Sequence, residues 1–194
     1  MDAKQFFFER YRGFREYPEL LLSGLTEHQM RHSPHPPLNP IAWVLWHLAR
    51  SEDVGVNRVL TDHGQVLDAG GWPTRLGVPN REVGTGMSRA QVTQLCEGIS
   101  LSELGAYRTA VTDRTESAIQ ALPSAELMRE LTRERLRQVF VDEGAGGTAA
   151  EDLVEAYNGH SKGWFLGHIV LTHHFYHIGQ AFGVRVMHGA ASPW

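Results

Sequence analysis

Two histidines four residues apart, His173 and His177, are the residues of this sequence best suited to chemistry. On a helix both imidazoles project from one face, separated by a single turn of about 5.4 Å. Nitrogens at that spacing converge on one transition-metal ion. The chain has eleven histidines, and such pairs are often packing features of amphipathic helices, so the pair alone is weak evidence for a metal.

A third ligand is available at His47, which lies in another helical pattern. Helical geometry places Trp43 on the same side, so His47 is a polar side chain on an apolar face. Without a partner it would cost on the order of 1–3 kcal/mol. It is either a satisfied core histidine or the partner of His173 and His177 across a bundle. Three neutral imidazoles with an open fourth position are typical of a catalytic zinc, nickel, iron or manganese site.

Other sites are disfavoured by missing residues. The long helices lack the Glu-x-x-His pattern of di-iron bundles, and no His-Glu-x-x-His motif occurs. The single cysteine, Cys96, excludes a cysteine-rich zinc site. His168 and His174 lie roughly 140° and 100° around the helix from His173. We therefore expect them to face solvent, a neighbouring helix or a dimer contact.

Hydrophobic periodicity predicts four long helices to position these residues. Ser88, with Gln91 three residues later, forms a capping box, and Ser161 is an N-cap candidate for the last helix. Four helices of about twenty residues match a bundle better than a set of short helices. We predict an all-α single domain over residues 1–194, with helices near residues 3–25, 41–60, 88–122 and 161–189.

The connection between the second and third helices is long and rich in glycine, from Asp62 to Met87. Connections of that length are usually functional or cross from one end of a domain to the other. A crossover would make the two helices parallel and give an up-down-down-up order. The only strand-like run is residues 137–141, within a region expected to hold a short helix and a turn.

Composition limits the partners. The formal charge of −4 provides no basic field for nucleic acid. The N-terminal segment lacks the features of a signal peptide, and no run reaches membrane-spanning length. One cysteine fits a reducing cytoplasm. Apolar residues at Phe6–Phe8 and in the tail, residues 191–194, allow a homodimer, although they could equally pack on their own chain.

Two segments carry a family resemblance. Residues 39–53 (NPIAWVLWHLARSED) and residues 173–180 (HHFYHIGQ) resemble the DinB-like superfamily, which includes bacillithiol and mycothiol S-transferases and mycothiol-dependent maleylpyruvate isomerase. The resemblance covers most of the chain, including residues 71–77. It implies an up-down-down-up four-helix bundle, often dimeric, with a divalent metal on His47, His173 and His177. Ile178 departs from the arginine that many relatives have there.

The resemblance leaves three functions open. A metal-dependent transferase would activate a low-molecular-weight thiol against a small-molecule electrophile held near Trp43, Trp72 and Arg75. For Trp72 a loop anchor, and for Arg75 a solvated surface, are equally good explanations. A metal-dependent hydrolase would need a nearby general base, and Glu52 is expected to point away. The third function is a non-catalytic metal-binding stress protein.

Overall fold

Helices account for the regular secondary structure of the computed structural model, which describes residues 3–191. Within that range the only extended pairing is an isolated bridge between Glu130 and Ser161. The prediction of an all-α fold is therefore confirmed, while the up-down-down-up order and the dimer stay predictions. Tail residues 192–194 of the predicted dimer surface lie outside the described residues.

The first helical segment runs over residues 3–22 in three parts: α1 (Ala3–Arg12), a 3₁₀ turn (Gly13–Glu16) and α2 (Tyr17–Leu22). The 3₁₀ turn precedes Pro18. Proline has no N–H to donate, and its ring crowds the carbonyl four residues earlier. A short helix, α3 (Glu27–Arg31), follows, with a capping box between Thr26 and Gln29. The predicted end near residue 25 was three residues too late.

The second segment is the centre of the molecule. Helix α4 (Ile41–Glu52) is buried along all twelve residues and continues as a π-helical segment (Asp53–Leu60). It packs against α7 (Leu101–Ala121) and α11 (His173–Met187), and α11 also contacts α2. Because protein surrounds α4 on every side, each polar side chain on it must find a partner inside the molecule.

The predicted third helix is two helices, α6 (Arg89–Gly98) and α7. The capping box of Ser88 and Gln91 is present at the start of α6. The prediction missed the break, where Ser100 caps α7 and its N–H donates to the carbonyl of Leu76 at 2.9 Å. Arg31 donates to the carbonyl of Ile99 at 2.9 Å. These long-range bonds satisfy backbone groups that a continuous helix would have paired locally.

The connection over residues 61–88 contains a 3₁₀ turn (Val66–Asp68) and α5 (Trp72–Leu76). After α7 come a 3₁₀ turn (Ser124–Met128), α8 (Arg133–Arg137), a π segment (Gln138–Asp142), a 3₁₀ turn (Gly147–Ala149) and α9 (Ala150–Tyr157). The strand-like run at residues 137–141 is thus helical.

The last segment begins after the Ser161 cap and runs through α10 (Lys162–Gly167), a π segment (His168–Thr172) and α11. The π turn directly precedes His173. None of the helices among residues 3–191 combines the length and apolar character needed to cross a membrane.

Candidate metal centre

The structure brings together the three histidines that the sequence singled out. His47 comes from α4, and His173 and His177 come from the first turns of α11. One nitrogen from each ring lies within 4.8 Å of the other two, and the Nε2 atoms of His47 and His173 are 3.0 Å apart. A tetrahedral ion with bonds of about 2.0–2.1 Å would separate two such nitrogens by about 3.3 Å. The separation of His47 and His173 is close to that value.

The orientation of His47 is set by the connection over residues 61–88. Its Nδ1 lies 2.5 Å from the carbonyl oxygen of Val83, which can only accept, so Nδ1 carries the proton. The Nε2 lone pair of a neutral His47 consequently points toward His173 and His177. A backbone carbonyl on the remote nitrogen is a common support for a metal-ligating histidine, because it fixes the tautomer and the ring.

Gly84 holds the Val83 carbonyl in place. It has a φ of +91°, and a Cβ there would lie 2.5 Å from Cζ3 of Trp46. Only glycine allows the backbone of this connection to approach α4 this closely. The glycine-rich composition of the connection thus has a direct consequence for the orientation of His47.

His177 is oriented from within its own helix. Its Nδ1 lies 2.8 Å from Oε1 of Gln180, three residues later and on the same face. The amide oxygen accepts the Nδ1 proton and leaves the Nε2 lone pair free. Gln180 was quoted in the motif but given no role, although its spacing from His177 was the signal that could have identified it.

His173 has one nitrogen without a partner. Its Nδ1 is buried and has no hydrogen bond, whereas its Nε2 faces the Nε2 lone pair of His47. A cavity of about 20 Å³ lies beside this ring, lined by Ser51, Thr85 and Tyr157 among others, and has room for one water molecule. Without an ion, the Nε2 atoms of His47 and His173 either oppose two lone pairs or share a proton from His173, whose Nδ1 lone pair then stays buried without a partner. An ion between the Nε2 atoms removes that opposition and leaves the proton of His173 on Nδ1, for which a water molecule in the adjoining cavity is the available acceptor. The donor set therefore fits a metal.

Electrostatics keep the three rings neutral. Burial, and next the proximity of His177, lower the pKa of His47 to about 3. Burial likewise lowers the pKa of His173 far below its usual value, and His47 adds to the shift. Burial also lowers the pKa of His177, while the Gln180 hydrogen bond opposes the change. Neutral imidazole is the form that binds metal, so protons compete little near neutral pH.

Aromatic rings surround the histidines. Trp43, predicted to contact substrate, is buried and stacks on His47 with ring centroids 4.6 Å apart and an angle of 10°. Tyr176 is exposed, and its ring centroid lies 5.1 Å from that of His177. The ring centroids of His168 and His173 are 6.0 Å apart. Ideal α-helical periodicity predicted that the two side chains point in different directions. The π turn between them brings the rings closer, because a π-helix rotates less per residue than an α-helix.

Trp72 and Arg75, the other predicted substrate contacts, pack against α7. The guanidinium of Arg75 lies 3.7 Å from the ring centroid of Trp72 and pairs with Glu103. The Trp72 ring is 5.3 Å from Tyr107 and belongs to the core around α4. These contacts account for both side chains as anchors of α5, and their part in substrate binding stays a prediction.

The acidic residues that follow His47 do not face the histidines. Glu52 is buried, accepts a hydrogen bond from Tyr11 and lies 3.2 Å from Nε2 of His174. Burial raises the pKa of Glu52, but the contacts with His174 and Tyr11 outweigh that effect and hold the pKa below its usual value. His174 thus faces a neighbouring helix, one of its predicted environments. Within the described residues, the candidate metal group contains histidines alone.

The comparisons with known proteins agree with this architecture. A crystal structure of a conserved protein from Enterococcus faecalis has a similar fold, with a TM-score of 0.73 and 16% sequence identity, covering 97% of this chain and 99% of that chain. No curated protein shows a significant match. The chain matches the DinB superfamily over residues 10–181, a range that includes all three histidines and the elements that carry them. The chain therefore belongs to the DinB superfamily.

Proposed function

We propose that this protein binds one divalent transition metal through His47, His173 and His177 and uses it to transfer a low-molecular-weight thiol to a small electrophile. The observation that carries the proposal is the convergence of three neutral imidazoles whose nitrogens lie within 4.8 Å of one another. Val83 and Gln180 hold the remote nitrogens of two of them. Zinc and nickel suit such a donor set, and iron and manganese are accepted as well.

A bound metal would supply an open position at which a thiol loses its proton and becomes a nucleophile. The chain itself supplies the geometry: the buried Trp43 ring forms one wall beside His47, and the exposed Tyr176 ring lies at the edge beside His177. Three protein ligands leave the fourth position for the substrate.

The surroundings favour a transferase over a hydrolase. A hydrolase needs a base that takes a proton from water. The acidic residues that follow His47 along the chain are occupied. Glu52, at the end of α4, contacts Tyr11 and His174, and Asp53, at the start of the π segment, pairs with the buried guanidinium of Arg50. A thiol loses its proton more readily than water and does not require that base.

The metal is tested on protein purified without an affinity tag. We expect about one ion per chain in the wild type and its loss in His47→Ala and in His177→Ala. His63→Ala, at an exposed loop position, is the matched control and should retain the ion. Retention of a full equivalent by both ligand variants would contradict the site.

The reaction is tested with a model electrophile and a panel of cellular thiols. Conjugation that requires the metal and disappears in His47→Ala supports the transferase. Ester or amide hydrolysis without any thiol turnover would instead identify a hydrolase. Loss of heat stability on metal removal, with no turnover in either assay, would identify a non-catalytic metal-binding protein.

A further inference from the structure

A second cavity lies between the first helical segment and α7. It has a volume of about 430 Å³ and is lined by residues that include Pro18, Glu19, Leu22, Gly105 and Arg108. We call it the α2–α7 groove. None of the three candidate metal ligands lines it, so it is a separate site.

Two smaller cavities share Arg108 with the α2–α7 groove. One has a volume of about 40 Å³ and is lined by Tyr11, Glu52 and Arg108 among others. The other has a volume of about 30 Å³ and is lined mainly by apolar side chains, among them Leu45 and Leu104, and again by Arg108. A ligand in the groove would therefore lie beside a cation, with apolar side chains in an adjoining cavity.

Arg108 is a cation without a direct partner. Most arginines of residues 3–191 donate hydrogen bonds to carboxylates, amides or carbonyls; the exceptions are Arg10, Arg108 and Arg114. Arg10 and Arg114 are exposed, whereas Arg108 is half-buried. Burial lowers the pKa of Arg108 to about 10, against the opposing effect of Glu52. Glu52, Tyr11 and Glu19 are near enough to interact with its charge, but none of them accepts a hydrogen bond from it. A half-buried guanidinium whose donors no group of residues 3–191 occupies can hold an anion.

Gly105 keeps the groove open. It lies inside α7, where glycine costs about 0.5–1 kcal/mol relative to alanine. A Cβ at this position would meet nothing within 4 Å, so no neighbouring part of the chain requires glycine there. The missing side chain leaves room beside Arg108, one turn further along the helix.

We propose that the α2–α7 groove binds a small monocarboxylate with an apolar tail. The carboxylate pairs with Arg108, and the tail lies over Gly105 toward Leu22 and Leu104. The acidic side chain of Glu19 lines the same groove, so a second negative charge on the ligand would be repelled. A carboxylate matches the planar guanidinium in a two-point hydrogen bond, which a neutral alcohol cannot form.

Binding of hexanoate to the full chain, measured by isothermal titration calorimetry, tests the proposal. We expect saturable binding to the wild type, with hexanol and succinate each at least about tenfold weaker, since a charge-assisted hydrogen bond contributes about 1.5–3 kcal/mol. Arg108→Gln should weaken hexanoate binding at least about tenfold. Gly105→Leu, which fills the groove, should also abolish it.

Arg114→Gln is the matched control, because it removes the same charge from an exposed position of the same helix. It should bind hexanoate like the wild type. Urea unfolding of each variant verifies the fold, and Arg108→Gln should be no less stable than the wild type because it removes an unpaired charge. Failure of the wild type to bind hexanoate, equal weakening by both arginine substitutions, or equally tight binding of hexanol would overturn the proposal.

Discussion

Helix α4 and its π-helical continuation carry two buried polar clusters of opposite character. The Asp53 carboxylate accepts hydrogen bonds from the side chains of Arg50, Tyr107 and Asn57 and from the backbone N–H groups of Val66 and Leu67. Five donors from separate parts of the chain converge on one acceptor. This Asp53 cluster joins α4, α7 and the connection over residues 61–88.

The histidine cluster begins one turn earlier on α4 and has the reverse organisation. Its rings are neutral, and those of His173 and His177 are only half-buried. One buried nitrogen of His173 lacks a partner. The hydrogen bonds present hold the remote nitrogens of His47 and His177 and leave the facing nitrogens free.

The difference is between a carboxylate that is satisfied within the chain and ring nitrogens that are available to a ligand. A polar cluster that stabilises the fold should satisfy its groups within the chain, because each unsatisfied buried group costs about 1–3 kcal/mol. A cluster that binds something else must leave groups free for it. The Asp53 carboxylate is of the first kind, because five donors of the chain satisfy it, although Nε of Arg50 and Oδ1 of Asn57 beside it are buried without partners among residues 3–191. The facing nitrogens of the histidine cluster are suited to an external ligand.

The largest effect is expected from Asp53→Asn. The substitution leaves the buried Arg50 guanidinium without its carboxylate. It also replaces one carboxylate oxygen, which accepts hydrogen bonds, with an amide NH₂ group that faces other donors. We expect the free energy of unfolding, measured with urea, to fall by about 3–5 kcal/mol. The control Asp113→Asn breaks an exposed pair with Arg15 and should cost less than about 1 kcal/mol. Similar losses of unfolding free energy in both variants would show that the Asp53 cluster does not stabilise the fold more than an exposed ion pair does.

The next effect concerns Gln180→Leu. It removes the acceptor that orients His177 and should weaken zinc binding about 10–100-fold, measured by competition with a chelator. The metal-free protein should keep its stability within about 1 kcal/mol, because Gln180 is only half-buried. Gln94→Leu, at an exposed position of α6, is the control. Unchanged zinc affinity would show that Gln180 does not support the site.

The stability of the metal-free protein should depend on pH through His47. Its pKa is about 3 in the folded chain, against a usual value of 6.5, so between these values the unfolded chain binds a proton that the folded chain does not. Stability therefore falls as pH decreases below 6.5, by up to about 1.4 kcal/mol per pH unit.

Urea unfolding at neutral pH and at two lower values measures that slope. His47→Gln should reduce the slope by about one proton, whereas the exposed control His63→Gln should leave it unchanged. Identical slopes in the wild type and His47→Gln would show that His47 is not kept neutral by burial.

The smallest effect is expected from Arg75→Ala. It removes the guanidinium from the Trp72 ring and breaks the pair with Glu103, both near the surface, and should cost about 0.5–1 kcal/mol. Glu103→Gln removes the pair alone and should cost less. Zinc affinity should not change. A loss of conjugation in Arg75→Ala at unchanged zinc affinity would instead support the predicted substrate contact.

Patterns within short stretches of sequence were enough to predict helical structure and part of the candidate metal centre. The spacing of His173 and His177 places both rings on one helical face wherever α11 lies in the fold, because backbone hydrogen bonds determine that geometry. The capping residues Ser88 and Ser161 likewise act on N–H groups two or three residues away. The same reasoning identified His47 as a polar residue that required a partner.

Helix periodicity was less reliable where a π turn intervenes or where long-range bonds compete. The π segment before His173 brings His168 nearer than an α-helix would. The break before Ser100 depends on bonds from Leu76 and Arg31, which are distant in sequence. Neither effect can be recognised from the residues in a short stretch of sequence.

By itself, the sequence determined an all-α chain with two histidines on one helical face and a third on another helix, because these features depend on contacts within a few residues. The tertiary structure decided which nitrogens point inward. It brought the carbonyl of Val83 to His47, enclosed Glu52 and Asp53 among other partners and placed Trp72 beside α7. Such pairings join residues far apart in the chain, and only packing of the whole molecule selects among them.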